Sequence, residues 1–330
     1  MTDFQSSKAF VRRYYHALDA AKGDEITRIL LDHTTPDFVW RGMHPFNELS
    51  GAEDVAERFW KPFRKAIGPI QRRPDLFLAG SSETGNTKSE WIVSMGHLMG
   101  LFDQDWLGIP ASGKLVFLRY AEFHRMEKDL IAETVLFCDI LGVMLQVGLK
   151  PLPPQTGAFI MTPGPRTHDG LRDDALSPVE GQFTLDLINR MLDDLIGAGV
   201  ASPIEDLEKT WHPDMVWFGP TGIGASYTFE RYRRQHCAPF EEGLEFIRHN
   251  GHACRIGEGH YGGFFGYPSL TLKSRGGFMG LPGHDKAIDM RIVDLYRRDG
   301  DKLAENWIFI DMLHFLNMQG LDVLGRIQKN

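Results

Sequence analysis

The feature that most constrains this chain is an internal repeat. The segment Asp37–Trp40, with the sequence DFVW, recurs 177 residues later as DMVW in Asp214–Trp217. After five extra residues in the first copy, around Phe102–Trp106, the interval becomes 172 and then stays constant. One interval, one insertion and one new interval are what the duplication of a whole domain produces. The sequence therefore predicts two similar domains in tandem.

The segment that joins the two copies is rich in proline, glycine and charged residues and has no apolar periodicity, which is typical of a linker. We therefore predict a first domain over residues 1–150, a linker over residues 151–176 and a second domain over residues 177–330. With 330 residues in total, each copy is long enough to bury a core of its own.

Helical signals come first in each copy and strand signals follow. In the second copy, Ser177-Pro178 followed by Glu180 is a helix-start signal, and apolar residues at helical spacing come after it. The later part of each copy alternates as strands do, with hairpin turns expected at residues 127–129 and at Asp299-Gly300. Helices followed by an antiparallel sheet predict an α+β fold.

The charge balance and the cysteines limit the partners and the compartment. Lys and Arg total 36 against 44 Asp and Glu, a net charge of -8, so we expect no nucleic-acid partner. No apolar run approaches the roughly 18 residues that span a bilayer, and the start of the chain lacks the order of a secretory signal. The three cysteines form no CxxC motif, which fits a reducing compartment. We predict a cytoplasmic protein that does not bind membranes.

The end of each copy carries a recognisable pattern. The segments Asp129–Gly148 and Asp299–Asp311, together with the loops Gly108–Lys114 and Gly280–Lys286 before them, resemble the SnoaL-like polyketide cyclases of the nuclear transport factor 2-like superfamily. The resemblance implies two cone-shaped α+β domains, each with N-terminal helices packed in a curved antiparallel sheet around an apolar pocket. It also implies that the two copies pack as an internal pseudo-dimer. Whether whole chains associate into homo-oligomers in addition is left open.

By the same resemblance, Asp139 and Asp311 stand where the cyclases keep their acid/base aspartate. Strand alternation places Asp311 on one face with Phe309 and Trp307, so its carboxylate would be desolvated and prepared to take a proton next to a carbonyl. The alternative is that each aspartate only caps a terminal helix. We predict cofactor-independent acid/base chemistry, of cyclase or isomerase/dehydratase type, on a small apolar carbonyl compound. The competing class is a non-catalytic ligand-binding or interaction module.

Aromatic and histidine side chains are the candidates for the pocket lining, with core packing as the alternative for the aromatic ones. The set consists of Trp40, His44, Trp91, His97, Tyr120, Trp217, His260, Tyr261, Trp307 and Phe309. We expect the second domain to hold the more open pocket and the extra loop Phe102–Trp106 to act as a lid on the first.

A charged pair recurs in both copies, as Arg119 with Glu122 and as Arg291 with Asp294. Residues three apart on a strand point to opposite faces, so at most one member of each pair can line a pocket. This weakens an epoxide-hydrolase alternative, which needs an arginine flanked by carboxylates on one face. A structural or solvated ion pair is the expected role.

Two motifs suggest cofactors but fail on context. Gly257-x-Gly-x-x-Gly262 matches a dinucleotide fingerprint, yet a strand rather than a helix follows it. His249-x-x-His252 lacks a third and a fourth ligand at zinc spacing. We therefore predict no metal and no cofactor, and a small molecule as the ligand.

Overall fold

Two β-sheets, each preceded by helices, make up the protein, and the α+β prediction is confirmed. The computed structural model describes residues 4–84, 88–199 and 201–327. The outer ends of the two predicted domains, residues 1–3 and 328–330, lie outside the described residues.

The first sheet is built from six strands that all precede residue 139, and its order is β2-β1-β6-β5-β4-β3. A π-helix, Ala56–Trp60, joins two of the helices that accompany it. The elements are α1 (Gln5–Ala20), α2 (Glu25–His33), β1 (Thr34–Gly42), β2 (Glu48–Ser50), α3 (Ala52–Val55), α4 (Lys61–Ala66), β3 (Gln71–Ser82), β4 (Ser89–Leu101), β5 (Leu115–Glu127), β6 (Leu130–Cys138) and α5 (Ile140–Gln146).

The second sheet repeats this order as β8-β7-β13-β12-β11-β10, with β9 paired to the far half of β11. A second π-helix, Arg233–Cys237, stands at the place that corresponds to the first. The elements are α6 (Pro178–Gly197), α7 (Ile204–Thr210), β7 (Trp211–Phe218), β8 (Ala225–Tyr227), α8 (Phe229–Tyr232), α9 (Ala238–Gly243), β9 (Leu244–His249), β10 (Cys254–Glu258), β11 (Tyr261–Ser274), β12 (Ala287–Asp299), β13 (Lys302–Ile310), α10 (Met312–Met318) and α11 (Val323–Ile327).

One pair of strands in each sheet departs from the expected antiparallel arrangement. Strand β1 lies parallel to β6, and β7 lies parallel to β13, while the other pairs are antiparallel. A tight turn forces antiparallel pairing, but these strands are far apart in the chain and reach each other by a long connection, which permits either direction.

The long helices and the hairpins form where the sequence predicts them. Helix α1 buries Val11, Tyr14 and Leu18, which recur at the spacing of one helix face. Helix α6 starts at Pro178, although the side chain of Ser177 makes no capping hydrogen bond. The β5–β6 turn and the β12–β13 turn lie at the two predicted places.

The two halves of the chain contact each other through aromatic side chains and through the edges of their sheets. The ring of Phe265 lies 5.3 Å from Trp91 and 5.1 Å from Phe123. At the edges, β3 meets β10, where the backbone N–H of Ala79 donates to Glu258 Oε2 at 2.8 Å. Such side-chain contacts occupy edge groups that would otherwise be free to pair with another chain.

The segment predicted as a linker, residues 151–176, follows the surface of both halves, and we refer to it as the strap. The structure describes it in full, and it contains no helix or multi-residue strand. It is nevertheless well anchored, because Leu171 forms a β-bridge with Phe77 and the carbonyl of Pro163 accepts a hydrogen bond from Trp307 Nε1 at 2.9 Å.

Candidate functional site

The interior of the second domain encloses a cavity of about 120 Å³. Strands β12 and β13 form its floor, and helices α6 and α7 with the π-helix close it from above. Its apolar walls consist of Met191, Leu195, Leu207, Trp211, Trp217, Phe240, Leu270, Met290, Ile292, Ile308 and Ile310. Its polar groups belong to Asp194, Ser202, Asp206, Thr210, Tyr232, His236, Cys237, Asp294, Tyr296 and Asn306.

Asp294 is the acidic group deepest in this cavity. It is 7% exposed, and its Oδ1 accepts a hydrogen bond from Asn306 Nδ2 at 2.9 Å. Within the described residues it has no cationic partner at ion-pair distance. Burial therefore raises the pKa of Asp294 to about 7. Near neutral pH the group is present as both acid and carboxylate, as general acid/base chemistry requires.

Two tyrosines near Asp294 stay protonated. Burial, reinforced by the charge of Asp294, raises the pKa of Tyr296 well above its ordinary value. Burial and the neighbouring Cys237 do the same for the pKa of Tyr232. Both side chains line the cavity. The Tyr296 hydroxyl interacts with Asp294 and the Tyr232 hydroxyl with Cys237 and Ser202, and in place of these contacts each hydroxyl can donate a hydrogen bond to a ligand oxygen.

His236 is the other polar group of note. Its ring stacks in parallel on Trp217 at 4.1 Å, and burial lowers the pKa of the imidazole to about 3, so it is neutral at physiological pH. Its Nδ1 is buried and finds no hydrogen-bond partner among the described residues. A buried polar atom without a partner is rare in folded proteins and is often completed by a ligand or water.

The first domain has the same framework but a filled interior. Glu122, the counterpart of Asp294 at the repeat interval, lies 3.0 Å from the guanidinium of Arg72, which also pairs with Asp19. Although burial acts to raise it, His124 and Arg72 together lower the pKa of Glu122 to about 2. The Arg72 guanidinium lies 3.9 Å from the ring centre of Tyr15. Glu122 is therefore one member of a buried, structural ion pair with Arg72.

The repeat shows why one interior is hollow and the other is not. At corresponding places, the first domain carries larger side chains, and the second carries smaller ones. The pairs are Tyr15 with Leu192, Trp60 with Cys237, Arg72 with His249 and Tyr120 with Ile292. Each replacement removes side-chain volume from the second interior, which leaves the cavity.

Asp139 and Asp311 lie outside this cavity, at the N-termini of α5 and α10. The Asp139 carboxylate accepts from the N–H of Gly142 at 2.9 Å and, across the domain boundary, from the N–H and hydroxyl of Thr221 at 3.1 Å and 2.8 Å. A gap of only about 30 Å³ lies beside it. Its position is that of a helix cap at the contact between the two halves.

Asp311 makes the equivalent contacts and is fully buried. It accepts from the N–H of His314 at 3.1 Å and from the N–H of His44 in the other half at 2.9 Å, and it lies 3.2 Å from Arg291 Nη1. Burial nevertheless raises the pKa of Asp311. Helix capping and a raised pKa were expected as alternatives, but they occur together in Asp311. The reason is that the carboxyl group is fully buried along with the N–H groups that donate to it.

Of the ten predicted binding residues, Trp217 lines the cavity of the second domain. Trp40, its counterpart, packs on Phe59 in the filled interior of the first domain, at 5.1 Å between ring centres. Tyr120 lies in that same interior, where its hydroxyl is 2.8 Å from Ser94 Oγ. Of these three aromatic residues, one therefore borders the cavity and two pack in the filled interior of the first domain.

Four more predicted residues lie where the halves or the strap meet. Trp91 packs on Phe265 across the domain contact. Phe309 lies beneath the guanidinium of Arg119, 4.1 Å from its ring centre. Trp307 and Tyr261 hydrogen-bond to the strap rather than to the cavity.

The three predicted histidines are dispersed. His44 contributes its backbone N–H to Asp311, and burial lowers the pKa of its imidazole. His97 lies against Phe117, with Nδ1 3.7 Å from a carboxylate oxygen of Asp75. The side chain of His260 is 52% exposed, next to Glu180. The structure does not bring these groups together in one site.

The loop Phe102–Trp106 is not a lid, which corrects that prediction. Phe102 and Trp106 are buried, and the Trp106 ring lies 5.3 Å from Phe63 and 6.3 Å from Phe46. The extra loop fills the first domain instead of covering an opening.

Asp294 is the residue that sequence reasoning did not select. Alternation along β13 places Trp307, Phe309 and Asp311 on one face as expected, but the cavity is on the opposite face, lined by Asn306 and Ile308. The signal that could have found Asp294 is its recurrence as Glu122 in the first copy, on a strand where only one member of each charged pair can point inward.

A wider groove of about 760 Å³ lies beside the strap, outside the second sheet. Its charged side chains neutralise one another, because Arg297 pairs with Glu305 and Asp299, and Arg166 pairs with Asp214 and Asp299. The groove is also lined by Asp75, His168 and His212. The cavity is the better candidate for chemistry because it holds a buried acid, Asp294, that has no cationic partner among the described residues.

The motifs that suggested cofactors have structural explanations. His249 Nε2 and His252 Nε2 are 3.3 Å apart, but Arg255 donates to His252 Nδ1, and a cation there opposes metal binding. Within the described residues, no three His, Cys, Asp or Glu side chains are arranged to hold a metal ion. Gly257 and Gly262 pair with each other across the β10–β11 hairpin, and no helix N-terminus follows them.

None of the helices in the described ranges combines the length and the apolar character needed to cross a bilayer. The three cysteines, Cys138, Cys237 and Cys254, are buried free thiols.

Comparisons with known proteins concern about half of the chain at a time. A protein from Jannaschia sp. CCS1 that is named after the SnoaL-like polyketide cyclases is 19% identical over 46% of this chain and 95% of its own, with a TM-score of 0.34. TsrD from Streptomyces laurentii is 21% identical over 43% of this chain and 97% of its own, with a TM-score of 0.34.

An NTF2-like protein from Burkholderia thailandensis is 16% identical over 43% of this chain and 97% of its own, with a TM-score of 0.32. Comparison with curated proteins finds no match. The sequence profile of the SnoaL-like domain matches residues 11–134. That stretch of the chain, which runs from within α1 to the middle of β6, is therefore similar to a SnoaL-like domain.

Proposed function

We propose that the second domain is a cofactor-independent acid/base enzyme that acts on a small apolar carbonyl compound, with Asp294 as its catalytic residue. The observation that carries the proposal is an aspartate in an apolar cavity, without an ion-pair partner among the described residues, whose pKa burial raises to about 7. A carboxylate with such a pKa is an effective base at neutral pH.

The cavity supplies the groups for one proton-transfer cycle. The carboxylate of Asp294 removes a proton from the carbon next to a ligand carbonyl, and the electrons of that C–H bond form an enolate. The protonated hydroxyl of Tyr296 or Tyr232 donates a hydrogen bond to the enolate oxygen. When a C=C bond is conjugated with the enolate, return of the proton from Asp294 to the far carbon of this dienolate completes an isomerisation. When the enolate attacks a second carbonyl of the same molecule, a C–C bond forms, and the resulting alkoxide takes the proton back from Asp294 to complete a cyclisation.

Asp139 and Asp311 remain the positions that the family resemblance favours for the acid/base group. Their contacts support a different role for both, because the carboxylates cap helices and bridge the two halves of the chain. We therefore place the chemistry at Asp294 and the holding of the interface at Asp139 and Asp311.

Exchange of deuterium into a simple ketone tests this assignment without knowledge of the natural substrate. In deuterated buffer at neutral pH, the protein should accelerate deuterium incorporation next to the carbonyl of cyclohexanone, followed by proton NMR. Asp294→Asn should lower the rate by about 10²-fold or more. Asp139→Asn and Asp311→Asn are the matched variants, and their rates should stay near that of the unchanged protein. Loss of exchange in either of them, with Asp294→Asn active, would return the assignment to the interface aspartates.

For the first domain we propose a non-catalytic role, which was the competing class. The observation that favours it is the interior filled by Arg72, Trp60 and Trp106, with Glu122 held in an ion pair. A ligand cannot enter without displacing these buried side chains.

We also propose that the chain is an internal pseudo-dimer. Two equivalent contacts cross the boundary in opposite directions, from the N–H of His44 to Asp311 and from the N–H of Thr221 to Asp139. His44 and Thr221 correspond at the repeat interval, and so do the two aspartates. Reciprocal contacts of this kind are typical of an interface with two-fold symmetry.

A further inference from the structure

We propose that the cavity of the second domain selects an uncharged ligand with a single six-membered ring and one hydrogen-bonding substituent, and that His236 positions this substituent. The inference rests on the proposed function for the choice of site, and it adds the size, the charge and the polar group of the ligand.

The size of the cavity argues for one ring. Its volume is about 120 Å³. An apolar protein cavity of roughly 150 Å³ holds one benzene molecule, so a cavity of about 120 Å³ has room for one ring at most. A second fused ring would have to displace wall side chains such as Met290 and Ile308, which are 1% and 7% exposed and belong to the sheet itself. Strand side chains in a packed sheet cannot move aside as a loop can.

The charge of the lining argues for a neutral ligand. The cavity is lined by no Lys or Arg side chain of the described residues, and its charged members are Asp194, Asp206 and Asp294. A ligand carboxylate or phosphate would be buried without a counter-ion and next to these acids, which is strongly unfavourable.

The polar substituent is argued from His236. Its buried Nδ1 lacks a hydrogen-bond partner among the described residues, while its ring is held by Trp217 on one side and by Tyr232 and Phe240 at its edges. The ring is therefore fixed, and neither of its nitrogen atoms has a hydrogen-bond partner among the described residues. A neutral imidazole has one donor and one acceptor, so a hydroxyl or a carbonyl oxygen suits it.

The duplication supplies matched substitutions. The first domain has Phe59 where the second has His236, and Trp60 where the second has Cys237. Both aromatic residues occupy the same kind of π-helix in the filled interior. His236→Phe therefore removes the polar group with a ring that this framework accommodates, and Cys237→Trp fills the cavity.

Binding of three probes to the full-length chain tests the inference, with dissociation constants measured by NMR titration of the protein. Phenol should bind about fivefold more tightly than benzene, as expected for one net hydrogen bond. The two-ring probe 2-naphthol should bind more weakly than phenol. In His236→Phe, phenol and benzene should bind within about twofold of each other. Cys237→Trp should abolish binding of both.

A spectroscopic signal keeps the role of His236 testable if a variant folds poorly. In the unsubstituted protein, the ¹⁵N resonance of His236 Nδ1 should shift with phenol and stay in place with benzene. His260→Phe is the control, since this histidine is half exposed and outside the cavity lining. It should change none of the three dissociation constants.

Three results would overturn the inference. They are equal or tighter binding of 2-naphthol, a preference for phenol that survives in His236→Phe, and no binding of benzene or phenol to the unsubstituted protein. Because these are binding measurements, they are independent of the exchange assay. Selective binding without deuterium exchange would leave this inference standing and remove the proposed acid/base function, and exchange without ring selectivity would do the reverse.

Discussion

At the scale of single residues, Asp294 makes the stability of the protein depend on pH. The folded protein raises the pKa of Asp294 from its ordinary 3.8 to about 7, so the native state holds this proton more tightly than the unfolded chain does. Stability therefore falls as pH rises from about 4 to about 7. Since each unit of pKa difference corresponds to about 1.4 kcal/mol, the full effect above pH 7 is on the order of 4 kcal/mol.

We therefore expect Asp294→Asn to stabilise the protein at about pH 8 by as much as a few kcal/mol, and to be close to neutral at about pH 4. Urea unfolding at the two pH values measures the difference. Asp37→Asn, at an exposed position of β1, should show no such dependence. An equal effect of Asp294→Asn at both pH values would mean that the carboxyl group is not held in its neutral form by burial.

Replacement of Asp311 by Ala should destabilise the protein, because the Asp311 carboxyl group has hydrogen-bond and ion-pair partners. Replacement by Ala leaves Arg291 without its carboxylate and two backbone N–H groups without an acceptor in a fully buried place. Breaking a buried charge pair in this way costs about 3–5 kcal/mol. Asp139→Ala is the matched variant at a half-buried position with no ion-pair contact among the described residues, and it should cost less. Urea unfolding that ranks the two variants in reverse order would contradict this account of the interface.

Residue roles were predictable only where one residue type has one common use. The sequence identified Asp139 and Asp311 as possible helix caps, and both accept the N–H of the residue three places later. It did not identify Asp294, because nothing in a strand sequence tells whether an acidic side chain meets a cation, as Glu122 meets Arg72, or an empty space.

At the scale of elements, the extra loop of the first domain is a packing element. Trp106 is 3% exposed and closes the aromatic cluster around Phe63. We expect Trp106→Ala to destabilise the protein by about 3–5 kcal/mol, as large-to-small core substitutions do. The exposed Gln104 of the same loop serves as the control, and its replacement by Ala should change the unfolding free energy by less than about 0.5 kcal/mol. If both substitutions changed the unfolding free energy equally and only slightly, the interpretation of this loop as a lid would be restored.

Strand β13 shows what the alternation of residues along a strand can predict and what it cannot. A period of two separates Trp307 and Phe309, which contact the strap and Arg119, from Asn306 and Ile308, which line the cavity. The alternation cannot show which face of β13 lines the interior of the domain. Both faces are buried, one by the helices and the other by the strap and the first domain. A sheet exposed on one side would have shown the difference as polar residues.

The hairpin turns and the long helices were predictable because their signals are local. The β12–β13 turn contains Gly300 with φ of 59°, a conformation that glycine adopts without strain. The parallel pairing of β1 with β6 was not predictable, since it joins strands almost a hundred residues apart and depends on how the whole sheet closes.

At the scale of the whole molecule, the buried contacts between the halves predict that they unfold together. Lys8 Nζ, near the start of the chain, lies 2.5 Å from Glu258 Oε1 in the second half and donates to the carbonyl of Arg172 in the strap at 2.6 Å. Side chains of both residues are at least nine-tenths buried. Calorimetry should therefore give one transition, with equal calorimetric and van't Hoff enthalpies.

Lys8→Met should shift that single transition to lower temperature, because it leaves the carboxylate of Glu258 buried without its cation, at a cost of about 3–5 kcal/mol. Lys61→Met removes exposed ion pairs with Asp24 and Glu57 and should shift the transition temperature far less, because water screens such pairs. Two separate transitions in the unsubstituted protein would show that the halves are thermodynamically independent.

The contrast between a filled first interior and a hollow second one has a genetic consequence. If both halves unfold together, tight packing around Trp60 and Arg72 compensates for the empty space and the buried acid in the other half. Alleles that weaken the first interior should then give temperature-sensitive phenotypes through reduced protein abundance, although they lie far from the cavity. Alleles at Asp294 or His236 should instead lose activity at every growth temperature while the protein accumulates normally. Mutations in the first domain should therefore be tolerated at low growth temperature, and mutations at Asp294 or His236 should be tolerated at no temperature.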